Sequence, residues 1–264
     1  MSDKMKSYIT VTDHLVSGET FTLRHDSDLD MLITEPKPSD SELSKYYESD
    51  AYISHTDQKK GILSFLYQMV KSYALGRKVQ LANKLNGGTG TLLDIGAGTG
   101  DFLVAAKNKG WTVAGVEVND AARSKASEKG IDLHHVVTEI GNEKFDVITM
   151  WHVLEHIPNL EETIQSLHQL LKSNGRLIIA VPNFRSHDAK YYGKFWAAYD
   201  PPRHLWHFSR TAMTKLFATS FHLEKIKPMY FDSFYVSLLS EKYKNGTSFS
   251  LRAFLVGLVS NLKA

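Results

Sequence analysis

The chain has 264 residues, of which 42% are hydrophobic, enough for one large globular domain or one domain with an appendage. Lysine and arginine total 31 against 29 aspartates and glutamates, which gives a net charge of +2, and no run of basic residues occurs. This charge pattern disfavours nucleic acid as a partner, because proteins that bind it carry a basic patch or stripe.

The chain contains no cysteine, which excludes disulfides, thiolate nucleophiles and cysteine-ligated zinc. The first twenty residues lack the apolar run of a secretion signal, and no stretch has the length and apolarity of a membrane span. We therefore expect a cytoplasmic protein.

Residues 1–88 are expected to form an N-terminal cap. They contain a strand-like run, LVSGETFTL, a turn-rich EPKPSD and an aromatic run, KYYESDAYISH. A long amphipathic helix is predicted over 59–85, because five apolar residues share one helical face: Ile62, Phe65, Leu66, Met69 and Tyr73. Gly87 and Gly88 end that helix.

From residue 91 the sequence alternates between short β-rich runs and helical stretches. TLLDI, GAGTG and DFLVAAKNKG are typical of a strand, a loop and a helix, and WTVAGVE with DAARSKASEKG repeats the strand and the helix. Three β-rich runs follow, IDLHHVV, FDVITM and GRLIIAV, the last two separated by the amphipathic NLEETIQSLHQLLKSNG. This alternation predicts an α/β fold with a parallel sheet covered on both faces.

Residues 184–208 interrupt the alternation with a long aromatic segment. It has too little periodicity for a core element and too many aromatic residues for a disordered linker, so we expect it to line a site. A helix from about Ser209 to Ala218, a strand FHLEKIK and an apolar helix FSLRAFLVGLVSNLKA complete the predicted elements.

A glycine-rich loop follows the first strand of the alternating region. In LLDIGAGTGDFL the strand contains Asp94, and Gly96, Gly98 and Gly100 follow it. Glycine there allows a sharp turn and lets a ligand approach the backbone. A dinucleotide fingerprint has its third glycine where this chain has Asp101, and a carboxylate at a helix start repels a pyrophosphate. The loop therefore favours a ligand without phosphate at that point.

A second acid, Glu117, ends the next strand, where a carboxylate can accept hydrogen bonds from ribose hydroxyls. Acids beside glycine backbone suit S-adenosylmethionine, an adenosine with cationic groups. Residues 90–183 resemble the class I S-adenosylmethionine-dependent methyltransferase domain of the small-molecule type, whose first motif is D-x-G-x-G-x-G. The resemblance implies a Rossmann-like, doubly wound, mostly parallel sheet with helices on both faces, plus the N-terminal cap. The family's final antiparallel strand is not found in the sequence.

The resemblance also implies which residues hold the cofactor. In such enzymes the loop holds the methionine moiety, the acid after the second strand holds the ribose, and residues before the fourth strand flank the adenine. The predicted cofactor residues are Asp94, Gly96, Ala97, Gly98, Gly100, Glu117, Val118, Asn119, Thr138, Glu139, Trp151 and His152. The predicted segments are a cap over 1–88, the cofactor-binding domain over 89–228 with its insertion at 184–208, and an apolar helical extension over 229–264.

The stretch MWHVLEHIPN places His152, Glu155 and His156 at the H-x-x-E-H spacing of a zinc-binding helix. It starts at a strand end and meets Pro158, so a stable zinc helix is not expected and no metal ligand is predicted. In the resembling family a similar E-H turn closes the cleft. Some small-molecule O-methyltransferases use that turn to hold a divalent cation, and others use only its shape and a histidine base. His156 is thus a candidate base, with a structural hinge histidine as the alternative.

The stretch DPPRHLWHFS lies where the family places substrate-side residues. His204 is the first candidate for the general base and His207 the second, since histidine titrates near neutral pH. Arg203 would contact an anionic group or the cofactor.

The same stretch also suits a structural role, and this alternative stays open. Pro201 and Pro202 would set a turn, Trp206 and Phe208 would fill a core, and Ser209 would cap the next helix.

Four aromatic residues complete the predicted substrate side. Tyr46 and Tyr47 are predicted to contact the substrate, together with Trp196 from the aromatic segment, and Tyr52 would extend the lid. The tyrosines could equally pack a small core within the cap.

These observations predict an enzyme that methylates a small-molecule acceptor, at an oxygen nucleophile, with S-adenosylmethionine as cofactor. The alternative is a non-catalytic adenosyl-ligand-binding module that regulates a partner through the apolar helix 249–262. A nicotinamide oxidoreductase is disfavoured by Asp101. The apolar runs MYFDSFYVSLL and FSLRAFLVGLV leave open a homodimer or contact with a lipid surface.

Overall fold

The computed structural model describes residues 5–39, 42, 44–46, 62–247 and 250–263, with the backbone alone for 44 and 62–69. The chain groups into two compact units. The parallel-sheet unit comprises residues 59–154 and 159–180, and the antiparallel-sheet unit comprises residues 1–58, 155–158 and 181–264.

The described residues contain eight strands and eight α-helices. The strands are β1 (Met5–Thr12), β2 (Thr20–Asp26), β3 (Met31–Glu35), β4 (Thr91–Ile95), β5 (Thr112–Val116), β6 (Phe145–Trp151), β7 (Leu171–Ala180) and β8 (Trp206–His207). The helices are α1 (Ile62–Asn86), α2 (Asp101–Lys107), α3 (Asp120–Ser127), α4 (Leu160–Leu170), α5 (His187–Tyr192), α6 (Arg210–Phe217), α7 (Tyr230–Asn245) and α8 (Leu251–Lys263).

Four parallel strands form the sheet of the parallel-sheet unit, in the order β5-β4-β6-β7. Helices flank this sheet: α1 packs on β6 and β7, α2 on β5, and α4 on β7. The predicted α/β, Rossmann-like fold is confirmed. In the register, Asp94 of the central strand β4 lies between Gly115 of β5 and Thr149 of β6.

The core of the parallel-sheet unit forms where apolar faces of its helices meet the sheet. Leu92 and Val147 of the sheet pack with Phe102 and Leu103 of α2. The long helix contributes Val79 and Ala82, whereas Tyr73 of its predicted apolar face is 56% exposed and the other members lie outside the described side chains. The helix is confirmed, but it groups with the parallel sheet rather than with residues 1–58.

The β-rich run 131–137 forms one residue of strand pairing instead of a full strand. His134 alone pairs with β5: its N–H donates to the Gly115 carbonyl, and its carbonyl accepts from Glu117 N–H, both at 2.9 Å. A 3₁₀ turn, Val137–Ile140, follows directly and carries the chain away from the sheet edge.

The antiparallel-sheet unit is built on a sheet of order β1-β2-β3-β8. β1 to β3 form successive antiparallel pairs, and β8 adds two residues, with Leu32 opposite His207 and Ile33 opposite Trp206. The run LVSGETFTL is therefore only partly a strand, because the Asp13 carboxylate accepts the backbone N–H groups of Leu15 and Ser17 and sets a turn before β2.

The aromatic segment 184–208 is part of the core of the antiparallel-sheet unit. Phe184, Tyr192, Trp196 and Tyr199 are each at most 4% exposed and pack together in one cluster. The prediction that this segment is not a core element is wrong. Its short α-helix buries Tyr192 and its 3₁₀ turn Ala197–Tyr199 buries Tyr199, and aromatic residues spread over such short elements have no single helical or strand period.

The predicted helices near residues 209–218 and 249–262 are confirmed as α6 and α8. The predicted strand FHLEKIK is wrong, because residues 221–229 have no assigned helix or strand, and Leu223 and Ile226 are 49% and 47% exposed. None of the described helices has the length and apolarity needed to cross a bilayer. The division of the chain into three segments, 1–88, 89–228 and 229–264, stays a prediction.

Candidate active site

The glycine loop is held against the end of β5 by its own backbone. The N–H groups of Gly96 and Ala97 both donate to the Val116 carbonyl, at 2.8 and 3.0 Å. Gly96 has a φ of 72°, and a Cβ there would lie 2.3 Å from Cγ2 of Val153. A side chain therefore fits neither the backbone angle nor the space, which explains the glycine.

Asp94 lies buried beneath this loop, 2% exposed. Its Oδ1 accepts a hydrogen bond from the Thr149 hydroxyl at 2.6 Å. Burial, with a smaller contribution from nearby Glu117, raises the pKa of the Asp94 carboxyl to about 7, although Thr149 and Lys78 favour the ionised form. A carboxyl group whose pKa is raised by burial at a strand end is typical of a functional site.

Glu117 points its carboxylate at the glycine loop. Its Oε2 accepts from Gly98 N–H at 2.8 Å, and its Oε1 accepts from Asn119 N–H at 2.9 Å. Gly98 has open space where a Cβ would stand. The acid, the loop backbone and open space thus come together at the ends of β4 and β5.

The remaining residues predicted near the nucleoside follow β5 and the 3₁₀ turn. Asn119 caps α3, where its Oδ1 accepts from Ala122 N–H at 2.9 Å, and Val118 is 68% exposed. Thr138 and Glu139 lie in the turn Val137–Ile140, and Glu139 is anchored by His135 N–H at 2.8 Å. The contacts of these residues with adenine or ribose stay a prediction.

Trp151 ends β6 in the same unit, and His152 follows it directly. The Trp151 ring stands edge-on to Phe102 with centroids 5.6 Å apart, and the Lys78 ammonium lies 4.4 Å from its centroid. His152 has a φ of 60°, a left-handed conformation that is uncommon for a residue with a side chain, and its N–H donates to the Ala180 carbonyl. Such backbone conformations concentrate at functional sites.

The sequence predicted that the charge of Asp101 would repel a phosphate, but in the structure two lysines pair with this carboxylate. The Lys71 and Lys129 ammonium groups lie 2.6 and 2.7 Å from its carboxylate oxygens. Burial alone would raise the pKa of Asp101, but these two lysines lower it overall. The negative charge is thus largely neutralised, and only the missing third glycine separates this loop from a dinucleotide fingerprint.

Three predicted histidines lie in the antiparallel-sheet unit, and backbone carbonyls define the tautomers of two. His204 Nδ1 donates to the Ala198 carbonyl and His156 Nδ1 donates to the Arg203 carbonyl, each at 2.9 Å. A carbonyl only accepts, so in the neutral ring Nε2 carries the lone pair. The two rings stand edge-on, with centroids 4.6 Å apart.

In His207 the ring nitrogen that donates is Nε2 instead of Nδ1. The Thr34 hydroxyl donates to the His204 carbonyl at 2.6 Å, so it accepts from His207 Nε2 at 3.0 Å. Burial lowers the pKa of His207 well below its usual range, and burial lowers that of His156 to about 4. A neutral His207 whose Nε2 holds Thr34 suits a positioning role.

Glu155 joins two of these histidines in a cluster. One ligand atom each from Glu155, His156 and His204 lies within 4.8 Å of the other two, and Glu155 is 1% exposed. One carboxylate and two imidazoles form a donor set that suits a divalent cation. The prediction of no metal ligand stays untested, and this cluster favours the alternative that the sequence left open.

Arg203 is fully enclosed, 1% exposed, and its donors bind groups of its own unit. Nη2 donates to Asp13 at 2.8 Å and to Asp200 at 2.6 Å, and Nη1 donates to the Tyr46 carbonyl at 3.1 Å. These contacts join segments distant in sequence and are structural. A contact of Arg203 with substrate stays a prediction.

The predicted aromatic substrate residues are also packed within the antiparallel-sheet unit. Tyr46 is 3% exposed, and its hydroxyl donates to Glu19 at 2.5 Å. Trp196 is 4% exposed and donates to Asp188 at 2.6 Å. These contacts match the alternative of a core within the cap, whereas Tyr47 and Tyr52 lie outside the described residues.

The structural alternative for DPPRHLWHFS is also observed in part. Ser209 caps α6 by accepting from Ala212 N–H at 3.0 Å, and Phe208 is 1% exposed. Trp206 donates to the Ile157 carbonyl at 2.7 Å. Sequence reasoning missed Thr149, Lys78 and Thr34, because only strand register and helix packing bring them to Asp94, Trp151 and His207.

A comparison with known families identifies the class. A family model described as a methyltransferase domain matches residues 66–220, more than half of the chain. The chain therefore belongs to this methyltransferase family, of the class I fold that uses S-adenosylmethionine as cofactor. This confirms the predicted family, enzyme class and cofactor.

The chain is also similar to particular proteins. It is 35% identical over 118 residues to a ubiquinone biosynthesis O-methyltransferase of Actinobacillus pleuropneumoniae serotype 5b, covering 39% of this chain and 50% of that protein. It is 36% identical over 106 residues to the protein of that name from Histophilus somni, covering 35% and 44%. An S-adenosylmethionine-dependent methyltransferase structure from Thermotoga maritima has a TM-score of 0.46 at 21% identity, covering 61% and 79%. The chain spans about half the length of the curated relatives it matches.

Proposed function

We propose that this protein transfers the methyl group of S-adenosylmethionine to an oxygen of a small-molecule acceptor. The observation that carries the cofactor side is the Glu117 carboxylate, bonded to Gly98 N–H at 2.8 Å beside the buried Asp94. The relatives' names support the oxygen acceptor, since those proteins are O-methyltransferases.

The parallel-sheet unit supplies the groups that recognise a cationic adenosyl ligand. Glu117 would exchange its backbone partners for the ribose hydroxyls, and Asp94 would oppose the positive charge of the methionine part. The bare loop between Gly96 and Gly100 lets the ligand lie against the backbone.

Methyl transfer is an in-line displacement. The acceptor oxygen forms a bond to the methyl carbon while the carbon–sulfur bond breaks. The electron pair of the broken bond stays on sulfur, which gives S-adenosylhomocysteine. The hydroxyl proton must move to a base. His204 fits this role, because its Nδ1 donates to Ala198 and leaves the Nε2 lone pair to accept a proton.

A divalent cation is the second means of activating the hydroxyl. Glu155, His156 and His204 would hold it, and a bound cation would lower the pKa of the acceptor hydroxyl. The activity of the enzyme after chelator treatment distinguishes activation by a histidine base from activation by a cation. Full activity of chelator-treated enzyme supports His204 as the base, whereas loss of activity that Mg²⁺ or Mn²⁺ restores assigns the cluster to a cation.

Calorimetry with S-adenosylhomocysteine tests the cofactor side. Asp94→Ala and Glu117→Ala should each weaken binding by roughly tenfold or more, since each removes a charged hydrogen-bonding group. Glu128→Ala removes an exposed acid of the same unit and should bind as the unmodified protein does. Undiminished binding by the first two variants would refute this pocket.

A screen with a labelled methyl donor tests the reaction. Hydroxyl acceptors should gain label, and the same compounds with the hydroxyl capped as a methyl ether should not. His204→Gln should lower kcat by roughly a hundredfold with unchanged cofactor affinity if it is the base. Cofactor binding with no product from any acceptor would favour the regulatory module instead.

A further inference from the structure

Helix α8 presents its large apolar side chains outward. Five of them lie along one side of the helix, between 41% and 78% exposed: Leu251, Phe254, Leu255, Leu258 and Leu262. We call these five residues the outer stripe. Their spacing follows one face of a helix, so they form a continuous apolar surface.

The inner face of α8 fixes this orientation. Ala253, Val256, Gly257 and Ser260 are buried on that face. A Cβ on Gly257 would come within 3.1 Å of the Phe234 backbone in α7, so only a small residue allows this approach. The Ser233 hydroxyl donates to the Gly257 carbonyl at 3.2 Å and fixes the register of the two helices. The outer stripe is therefore a defined surface of a packed helix.

Helix α7 continues the apolar surface with aromatic residues. Tyr230, Phe231 and Tyr235 are 58%, 45% and 56% exposed. The Asn261 amide of α8 donates to the Tyr230 carbonyl at 2.9 Å, so this end of α7 adjoins the C-terminal part of α8. Tyrosine side chains combine an apolar ring with a polar tip, which suits the boundary between water and lipid.

The exposed charged residues of α7 and α8 are all basic. Four basic residues of the two helices are exposed: Lys242, Lys244, Arg252 and Lys263. The two acids of residues 230–263 are not exposed, because Asp232 is half-buried and Glu241 is 4% exposed. A basic apolar helix face complements an anionic lipid surface.

We propose that α7 and α8 dock this protein on an anionic lipid bilayer. The outer stripe would enter the boundary between headgroups and acyl chains, while the four basic residues contact lipid phosphates. A second copy fits less well, since a two-fold contact would bring the basic residues of both copies together. The proposal is independent of the acceptor and the methyl transfer.

Sedimentation with vesicles tests the proposal without methyl donor or acceptor. The protein should bind vesicles of equal phosphatidylcholine and phosphatidylglycerol at least tenfold more tightly than vesicles of phosphatidylcholine alone, given roughly fivefold per basic residue near an anionic surface. Arg252→Gln with Lys263→Gln should weaken binding by roughly twenty-fivefold. Leu255→Glu with Leu258→Glu should weaken it by roughly tenfold or more.

Val70→Glu with Tyr73→Glu is the matched control. These residues are 47% and 56% exposed on α1, three positions apart like Leu255 and Leu258, and their replacement should leave vesicle binding unchanged. Thermal unfolding by circular dichroism checks that each variant is folded. If the leucine variant unfolds, the Arg252 and Lys263 variant decides alone.

Three results would overturn the proposal. The first is no sedimentation with the anionic vesicles, and the second is undiminished binding by the folded leucine variant or by the folded Arg252 and Lys263 variant. The third is a dimer by light scattering that the leucine variant dissociates while vesicles bind neither protein, which would assign the face to a second copy.

Discussion

The two units use buried polar groups in different ways. Among the described side chains of the parallel-sheet unit, the buried polar ones are Asp94 and Thr149, which bond to each other beneath the glycine loop. In the antiparallel-sheet unit an ion pair of Arg203 with Asp13 and a hydrogen bond of Thr34 with His207 join segments far apart in the chain. Under the proposed function the first arrangement would place a carboxyl group beside the cofactor, whereas the second joins distant segments of the fold.

The largest effect is expected where the structural network is broken. Arg203→Ala leaves Asp13 and Asp200 with unpaired charge, and Asp13 is 1% exposed. Losing one partner of a buried ion pair costs about 3–5 kcal/mol, so the free energy of unfolding should fall by that amount. Urea denaturation measures it.

Arg185→Ala is the matched control for Arg203. Arg185 also pairs with an aspartate, Asp30, but its side chain is 46% exposed. Its loss should cost about 1 kcal/mol or less, because solvent replaces the lost partner. Equal effects of the two substitutions would contradict the structural role of Arg203.

The next prediction concerns the buried acid of the parallel-sheet unit. The folded pKa of Asp94, about 7, lies above the unfolded value of 3.8, so the folded state retains a proton that the unfolded state releases. The free energy of unfolding therefore falls as pH rises from the unfolded pKa of 3.8 to the folded pKa of about 7, and it is lowest above pH 7. Asp94→Asn removes the titration. The variant should gain about 2–3 kcal/mol relative to the unmodified protein between pH 5 and pH 8, measured by denaturation at each pH.

Asp146→Asn controls for the pH dependence. Lys172 and Thr91 lower the pKa of Asp146, so this group stays ionised in both states from pH 5 to pH 8. Its substitution should shift stability by a constant amount across that range. If stability varied with pH in the same way in Asp94→Asn as in the unmodified protein, burial would not raise the pKa of the Asp94 carboxyl.

A smaller effect is expected from Gly115 of β5. A Cβ there would lie 2.5 Å from Leu103 Cδ1 and 2.6 Å from Leu133 Cδ2, so Gly115→Ala should cost about 1–3 kcal/mol through overcrowding. Gly76→Ala on α1 meets open space and should instead stabilise by about 0.5–1 kcal/mol. Thermal unfolding of both variants compares a packed glycine with an exposed one.

The sequence predicted the features that short stretches determine. The glycine loop, the acid after β5 and the Ser209 cap each depend on neighbouring residues, and each is observed. The contact of Arg203 with Asp13 spans 190 positions and leaves no local signal. The aromatic segment was misassigned for a related reason, because its residues find their core only when β1 to β3 are in place.

The smallest effect is expected for Ser209, whose role as a helix cap in the antiparallel-sheet unit the sequence predicted correctly. Its hydroxyl accepts from Ala212 N–H at 3.0 Å and donates to the Asp30 carbonyl at 2.7 Å. Ser209→Ala should cost about 1 kcal/mol by denaturation, and Ser209→Thr should retain most of that stability, because threonine also caps helices. A loss as large as that of Arg203→Ala would contradict the ranking. The expected ranking implies that local signals, although easiest to find in a sequence, carry less of this unit's stability than the distant polar contacts.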